Sequence, residues 1–384
     1  MNRLKILILA YAYNPTCRNW VYGLKSLGYE VTLLVWGQQF LTPEALQNWG
    51  FAAGDIPIFQ MQAALPDLTA QAIVESLGGA PDLLFSWEGA LILKPLEQVR
   101  QIFPKAKIIQ SACTFPNATT ILTEFRMHQR YRKSASNIDG WIFYSDTMQT
   151  SFCQKIPAAQ GKPYLVMVDP FLDAAYAKPN SPLTIPQLNR IDYSPHIVYT
   201  GRASKLWSSF SLDGRRDALG RFFKHLSNRG VHIFVSPKAD TKGLPNLHHY
   251  PDFSNQDIYE GRFAEYLSQF DAHLVMYNEC CGTLRRWVSN GLSTRFACAL
   301  TATSPLAVTE TSQFVHDLWQ ERPFGFTFRN VDDLVASLHD QQKLATLRQN
   351  MEKVHRSYSF ESQAPQIIQF IEKIAGKTEP VFSD

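Results

Sequence analysis

The sequence predicts an α/β protein made of two domains, each with a parallel sheet that is covered by helices on both faces. Short apolar runs alternate with helical periods along most of the chain, and this alternation is typical of such sheets. A length of 384 residues is large for one hydrophobic core and sufficient for two. Between residues 169 and 195 the alternation stops in a Pro- and Asn-rich stretch, which marks a domain boundary.

Seven apolar runs in the first half have the length of buried strands. They are Lys5–Ala12, Val31–Trp36, Pro57–Met61, Leu83–Trp87, Lys107–Cys113, Trp141–Ser145 and Tyr164–Val168. The helices predicted between them are Asn19–Leu27, Thr69–Leu77, Leu93–Phe103, Ala118–Ser136 and Asp146–Lys155. Glycine and proline fall in the loops, where they interrupt both patterns.

The alternation resumes in the second half. The predicted strands are His196–Thr200, His232–Ser236, a short strand near His249, Ala272–Tyr277 and Leu306–Val308. The predicted helices include Arg216–Asn228, Arg262–Gln269 and an amphipathic helix over Ser362–Ile374. We therefore expect an N-terminal domain of residues 1–172, a linker of residues 173–195 and a C-terminal domain of residues 196–357.

Composition excludes several classes of function. The net charge of +3 is small and no RNA-binding or zinc-finger motif occurs, so no nucleic-acid partner is expected. The six cysteines include no C-x-x-C pair, which argues against a disulfide framework or a zinc site and fits a reducing cytoplasm. His248 and His249 lack carboxylate or thiol neighbours in the sequence, which favours a structural role over metal binding.

Two segments bear on membranes. The N-terminal run MNRLKILILAYAYNPT is short for a signal peptide and leads directly into a helical pattern, and no segment has the length of a membrane span, so a cytoplasmic protein is expected. Arg126, Arg130, Arg132 and Lys133 give one helix a basic surface. That surface is either a solvated face or a contact with an anionic membrane or acceptor, which leaves a membrane-peripheral location open.

Two common nucleotide motifs are missing. The turn after the first predicted strand reads YNPTCRNW, without the G-x-G-x-x-G that lets a backbone approach a dinucleotide pyrophosphate, and no later strand supplies it. No Walker A sequence occurs either. A dehydrogenase and a P-loop enzyme are therefore disfavoured.

A phosphate site is predicted at Ser293, Thr294 and Arg295, where a helix begins. Thr294 is a candidate N-cap, and free N–H groups in the first helical turn attract anions. Arg295 adds a fixed cation. The stretch from Ser293 to Asp340 then reads as helix, buried strand, helix, short strand and helix.

This stretch and the loop VYTGRASK at residues 198–205 resemble the donor-binding region of GT-B glycosyltransferases of the group 1 type. The resemblance implies two Rossmann-like domains that face a central cleft, with residues 358–384 packing back on the first domain. It implies that Gly201 lets the backbone approach the donor and that Arg202 and Lys205 hold its diphosphate. Fixed cations suit this role because the departing nucleoside diphosphate gains negative charge.

The loop after the strand at residues 272–278 lines the nucleotide pocket in the fold that this sequence resembles. Asn278 is a candidate donor contact there. The best-known retaining branch carries two glutamates around the following helix, and their positions fall on Asn290 and Cys298. Retention of anomeric configuration is therefore not implied.

An inverting transferase needs a base for the acceptor hydroxyl. Glu88 follows the strand LLFSW and is the best-placed carboxylate, so we assign it the catalytic role. Asp146 has a structural reason at a helix start, and His128 and Asp169 are weaker candidates.

The sequence thus predicts a glycosyltransferase that moves a sugar from a nucleotide sugar to a glycan, glycolipid or small-molecule hydroxyl, as in polysaccharide biosynthesis. No Asp-x-Asp metal site occurs, so no metal and no cofactor are expected. Two alternatives stay open. One is a catalytically silent GT-B module that binds a nucleotide sugar or a protein, and the other is a sugar-nucleotide 2-epimerase.

Overall fold

The structure is a computed structural model. It describes residues 3–10, 15–37, 42–51, 54–62, 64–87, 92–112, 121–178, 188, 192–201, 218–276, 294–310, 312, 318–319 and 322–377. The chain divides into two compact units. The first comprises Met1–Phe115, Phe125–Pro170 and Phe360–Asp384, and the second comprises Pro116–Glu124 and Phe171–Ser359.

The first unit contains a seven-stranded parallel sheet. Its strands are β1 (Lys5–Ala10), β2 (Glu30–Trp36), β3 (Ile58–Met61), β4 (Leu83–Ser86), β5 (Lys107–Ser111), β6 (Gly140–Phe143) and β7 (Tyr164–Val166). The spatial order is β3-β2-β1-β4-β5-β6-β7, and all neighbours are parallel. This order reverses direction beside β1, as in a doubly wound sheet.

Helices connect these strands, as parallel pairing requires. They are α1 (Pro15–Ser26), α2 (Pro43–Asn48), α3 (Asp67–Ser76), α4 (Leu93–Ile102), α5 (Ile121–Ser134) and α6 (Asp146–Lys155). The start of α6 shows why the sequence forms a helix there. Ser145 is the N-cap and its hydroxyl accepts the N–H of Met148, while Asp146 lies in the first turn, where a negative charge is favoured.

The second unit contains a six-stranded sheet of order β10-β9-β8-β11-β12-β13, again parallel throughout. Its strands are β8 (His196–Tyr199), β9 (His232–Val235), β10 (Leu247–His249), β11 (Ala272–Val275), β12 (Leu306–Thr309) and β13 (Gly325–Phe328). Its described helices are α7 (Ala218–Asn228), α8 (Asn255–Tyr259), α9 (Arg262–Leu267), α10 (Thr294–Thr301), α11 (Val331–His339) and α12 (Gln341–Val354).

The last helix, α13 (Phe360–Ala375), belongs to the first unit. The ring of Phe360 meets Trp20 edge-on at 5.5 Å between centroids. Gly23 of α1 allows this approach, because a Cβ at that position would lie 2.5 Å from the Phe360 ring. Short 3₁₀ turns complete the elements at Ala135–Asn137, Pro157–Ala159, Asp173–Ala175 and His355–Tyr358.

The predicted fold class of two α/β units with parallel sheets is confirmed. Two predicted strands extend too far at their carboxyl ends: β7 ends at Val166 and β11 at Val275, so Met167, Val168 and Met276 lie beyond the strands, while residues 11, 12 and 277 lie outside the described part of the chain. The long helix α12 was not predicted as a separate element, although Asp340 caps it by accepting the N–H of Lys343. Among the described residues, no helix combines the length and apolar character needed to cross a membrane.

Candidate functional site

The candidate site lies at the carboxyl edge of the second sheet. Strands β8 and β11 are neighbours there, so the residues that follow them, Thr200-Gly201 and Met276, lie side by side. Helix α10 begins at the same edge, with Arg295 in its first turn. In parallel α/β sheets this edge is where ligands bind.

Arg295 is the central charged group of the site. Its Nη1 donates to the carbonyl oxygen of Met276 at 2.8 Å, and its guanidinium lies over the ring of Tyr199 at 4.9 Å from the centroid. A cation in the first helical turn is opposed by the helix dipole. The carbonyl and the ring offset that cost, and they hold positive charge where helix N–H groups already favour an anion.

Gly201 lies against both groups. A Cβ at this position would lie 2.4 Å from the Tyr199 ring and 2.6 Å from Nε of Arg295. Tyr199 is buried, so its ring has little room to move away. Glycine is therefore required to let Arg295 pack on Tyr199, which is a reason distinct from the backbone approach that the sequence suggested.

His273 was not identified from the sequence, because it lies within an apolar strand. It is fully buried in β11, and its Nε2 forms a 2.8 Å hydrogen bond with the hydroxyl of Thr200. Burial, with a smaller contribution from Arg295, lowers the pKa of His273 to about 3. The imidazole is therefore neutral near pH 7, and it positions Thr200 without adding a second positive charge beside Arg295.

A cavity of about 370 Å³ opens beside Arg295. Tyr250, Phe253 and Phe263 give it an aromatic wall, while Asp252 and Ser236 add polar groups. Burial raises the pKa of Tyr250 to about 12, so its hydroxyl stays protonated. An aromatic cavity of this size with a few polar groups is typical of small-ligand sites.

The structure brings together only part of the predicted donor site. Gly201 and Arg295 are in contact, and Cys298 lines the cavity one turn further along α10. Helix α10 begins at Thr294, and the capping role of Thr294 stays a prediction. Five predicted residues lie outside the described part of the chain, as does position 290. They are Glu88, Arg202, Lys205, Asn278 and Ser293.

In the first unit, Asp169 joins three strand ends. Its Oδ1 accepts hydrogen bonds from Nε1 of Trp87 at 2.9 Å and from the hydroxyl of Tyr144 at 2.8 Å. The carboxylate is buried, so these two donors compensate its lost hydration. These hydrogen bonds give Asp169 a structural role at the carboxyl edge of the first sheet.

No protein-family model and no curated protein sequence matches this chain. Solved structures match over nearly its whole length. HepE from Anabaena, in complex with UDP and glucose, has a TM-score of 0.65 at 13% identity and covers 96% of this chain and 100% of its own. The α,α-trehalose 6-phosphate synthase of Burkholderia multivorans has a TM-score of 0.57 at 10% identity, with coverages of 99% and 100%.

The UDP-N-acetylglucosamine 2-epimerase of Rickettsia bellii has a TM-score of 0.53 at 11% identity and covers 99% of both chains. Likeness at such low identity defines the fold alone. The chain therefore has the GT-B fold, and this prediction is confirmed. Because both transferases and an epimerase have this fold, chemistry has to be argued from the site.

Proposed function

We propose that this protein is a glycosyltransferase that moves a sugar from a nucleotide sugar to an acceptor hydroxyl. The observation that carries the proposal is Arg295, fixed in the first turn of α10 beside the 370 Å³ aromatic cavity. The HepE structure contains UDP and glucose, which supports UDP as the donor nucleotide.

The base and the diphosphate of the donor each match a different part of the site. The base occupies the aromatic cavity, against Tyr250 and Phe253. The diphosphate lies at Arg295 and at the first N–H groups of α10. When the bond between the anomeric carbon and the diphosphate breaks, charge grows on the departing oxygen. Arg295, together with Arg202 and Lys205 from the segment that follows β8 in the sequence, stabilises that charge in place of a metal ion.

Glu88 is proposed as the base. It accepts the proton of the acceptor hydroxyl as that oxygen bonds to the anomeric carbon and the diphosphate departs. The residue directly before it, Trp87, is fixed by its hydrogen bond to Asp169. The acceptor is a glycan, a glycolipid or a small molecule that binds to the first unit.

Two observations are reasons to test for an epimerase and for a catalytically silent module as well. An epimerase shares the fold, and the positions of two retaining-branch glutamates are Asn290 and Cys298. Incubation with UDP-sugars and an acceptor panel separates the cases. A transferase yields UDP and a glycosylated acceptor, an epimerase yields an isomerised sugar nucleotide, and a silent module changes nothing.

Glu88→Gln tests the catalytic assignment. We expect transfer to fall by about 100-fold or more, since a general base typically contributes that much, while UDP affinity stays within about two-fold. Asp169→Asn is the control at the same sheet edge, and its thermal unfolding reports the structural role argued for it. Full transfer by Glu88→Gln would remove Glu88 from the mechanism.

The basic surface of α5 supports contact with an anionic membrane that carries the acceptor. Phe125 is 58% exposed there, next to the exposed cations Arg126 and Arg130. An exposed aromatic ring among cations is the composition of a peripheral membrane contact. Flotation with vesicles containing phosphatidylserine tests this, with a charge-reversed Arg126→Glu/Arg130→Glu variant as control. If wild type and the variant float equally, the basic surface of α5 is a solvated face and not a membrane contact.

A further inference from the structure

A cluster of imidazoles and one carboxylate lies at the amino-terminal edge of the second sheet. His196 begins β8, His232 begins β9, and the two rings stack with centroids 4.7 Å apart. Asp192 precedes β8, and its Oδ2 lies 3.2 Å from Nε2 of His196. One ligand atom from each of these three residues falls within 4.8 Å of the other two. This edge is opposite to the one that carries Gly201 and Arg295.

The hydrogen bonds around His196 define where its protons lie. Its Nδ1 is 2.8 Å from the carbonyl oxygen of Ser194, and a carbonyl only accepts, so Nδ1 carries a proton. The ring is 3% exposed. A neutral ring protonated at Nδ1 presents a lone pair at Nε2, and that lone pair faces the Asp192 carboxylate.

Asp192 is held in this orientation by its other oxygen. Oδ1 accepts the backbone N–H of Ser194 at 2.9 Å, which leaves Oδ2 directed at His196. Two potential ligand atoms, Nε2 of His196 and Oδ2 of Asp192, therefore face each other at 3.2 Å, and one cation can contact both. A shared proton would suffice for two groups, but a ring nitrogen of a third residue, His232, also lies within 4.8 Å of both.

We propose that Asp192, His196 and His232 bind a divalent transition-metal ion, with Zn²⁺ as the best match. Neutral imidazole and carboxylate are ligands that Zn²⁺ prefers. Ligand atoms on a tetrahedron at zinc distances are roughly 3.3 Å apart, and the distance between His196 Nε2 and Asp192 Oδ2 is 3.2 Å. Asp192 is exposed, so a water molecule can supply the fourth ligand.

The surroundings of the cluster resemble the outer shell of a metal site. The carbonyl of Ser194 orients His196 through Nδ1, as metal-bound histidines are commonly oriented. His248 orients His232 through a 2.9 Å hydrogen bond between His232 Nδ1 and His248 Nε2. Such an ion would attach the segment that leads into β8 to the start of β9. It would stabilise the second unit without contacting the donor site.

The test uses the untagged, chelator-treated full chain and ZnCl₂. We expect one Zn²⁺ per chain by calorimetry, an increase of several degrees in melting temperature, and the absorption bands of tetrahedral Co²⁺ when cobalt replaces zinc. His249→Gln is the matched control, because His249 hydrogen-bonds the carbonyl of Ala239 instead of the cluster, and it should behave as wild type. His248→Gln should lower the affinity for zinc about ten-fold, because His248 orients His232.

Two variants remove a ligand. His196→Gln should abolish binding, with circular dichroism confirming that it folds. Asp192→Asn changes an exposed side chain, and its amide can donate to Nε2 of His196, so the metal-free protein should melt no lower than wild type while zinc affinity falls at least ten-fold. The proposal is overturned if wild type binds no zinc, if His249→Gln loses binding as His196→Gln does, or if Asp192→Asn binds zinc as wild type does.

Discussion

Strand β8 carries polar groups at both of its ends, and the two sets have opposite electrostatic character. At its carboxyl end, Thr200 and Gly201 meet Arg295 and a histidine, His273, that burial keeps neutral. At its amino end, Nε2 of His196 faces the carboxylate of Asp192 at 3.2 Å. One edge of the sheet presents the positive charge of Arg295, and the other presents the facing side-chain atoms of Asp192 and His196.

The difference shows that a histidine's role depends on what faces it. His273 and His196 belong to neighbouring strands and both are buried, yet one hydrogen-bonds a hydroxyl and the other faces a carboxylate. The first edge therefore suits an anion such as a diphosphate, and the second suits a cation. Variants that change one edge and leave the other intact test this division.

The largest expected effect on UDP binding is that of Arg295→Ala. Loss of a charge-assisted contact to the diphosphate should weaken UDP binding by about 2–3 kcal/mol, or roughly 30- to 150-fold. Calorimetry measures this, and zinc binding in the same variant should be unchanged. Arg295→Lys keeps the charge but loses the planar contact with Tyr199, so its affinity for UDP should lie between those of wild type and Arg295→Ala. Unchanged UDP affinity in Arg295→Ala would contradict the assigned site.

Gly201→Ala should weaken UDP binding less than Arg295→Ala does, but it should clearly lower the stability of the fold. The added methyl meets the Tyr199 ring and Arg295, and overpacking of this kind costs about 1–3 kcal/mol. Chemical denaturation should show that loss, and UDP affinity should fall because Arg295 is displaced. Gly230→Ala is a useful comparison, since nothing lies within 4 Å of its added Cβ and only the backbone penalty of its φ of 77° applies.

His273 should make stability depend on pH. Its folded pKa of about 3 lies below the usual value of 6.5, so the unfolded chain binds a proton that the folded one excludes. Its contribution is present above pH 6.5 and is lost as pH falls toward 3, at about 1.4 kcal/mol per pH unit. His273→Gln should flatten the fall in free energy of unfolding between pH 6 and pH 4. An unchanged slope would show that His273 is not buried as a neutral group.

The smallest effect concerns the aromatic wall. Phe253→Ala should weaken the binding of UDP about ten-fold, because stacking of a base on an aromatic ring contributes roughly 1–3 kcal/mol. Binding of pyrophosphate alone should not change, since that ligand reaches only the cation edge. If Phe253→Ala loses as much affinity for pyrophosphate as for UDP, the base does not bind against Phe253.

The sequence predicted the fold well because the sheet depends on local patterns. Apolar runs of period two and helices of period 3.6 are visible in the residues themselves, and the predicted strands of both sheets are present. Strand ends were predicted less well, as at Val166 and Val275, because the pattern stays apolar after the strand has ended.

The site was only partly predictable. Arg295 and Gly201 belong to short motifs, so the sequence identified them, whereas His273 and Tyr199 lie inside apolar strands and resemble core residues. The histidine cluster was missed for another reason. His248 has no carboxylate nearby in the sequence, and only the parallel pairing of β8, β9 and β10 brings it close to the group that contains Asp192.

The most direct test of the donor site is the melting temperature of the chelator-treated chain with UDP, GDP, ADP and dTDP. A ligand that binds only the folded state must stabilise it, by about 2.7 kcal/mol at one hundred times its dissociation constant. We expect UDP to raise the melting temperature by several degrees without added metal, and Arg295→Ala to lose that increase. No shift with any of the four nucleotides would contradict a nucleotide-sugar site at this edge of the sheet.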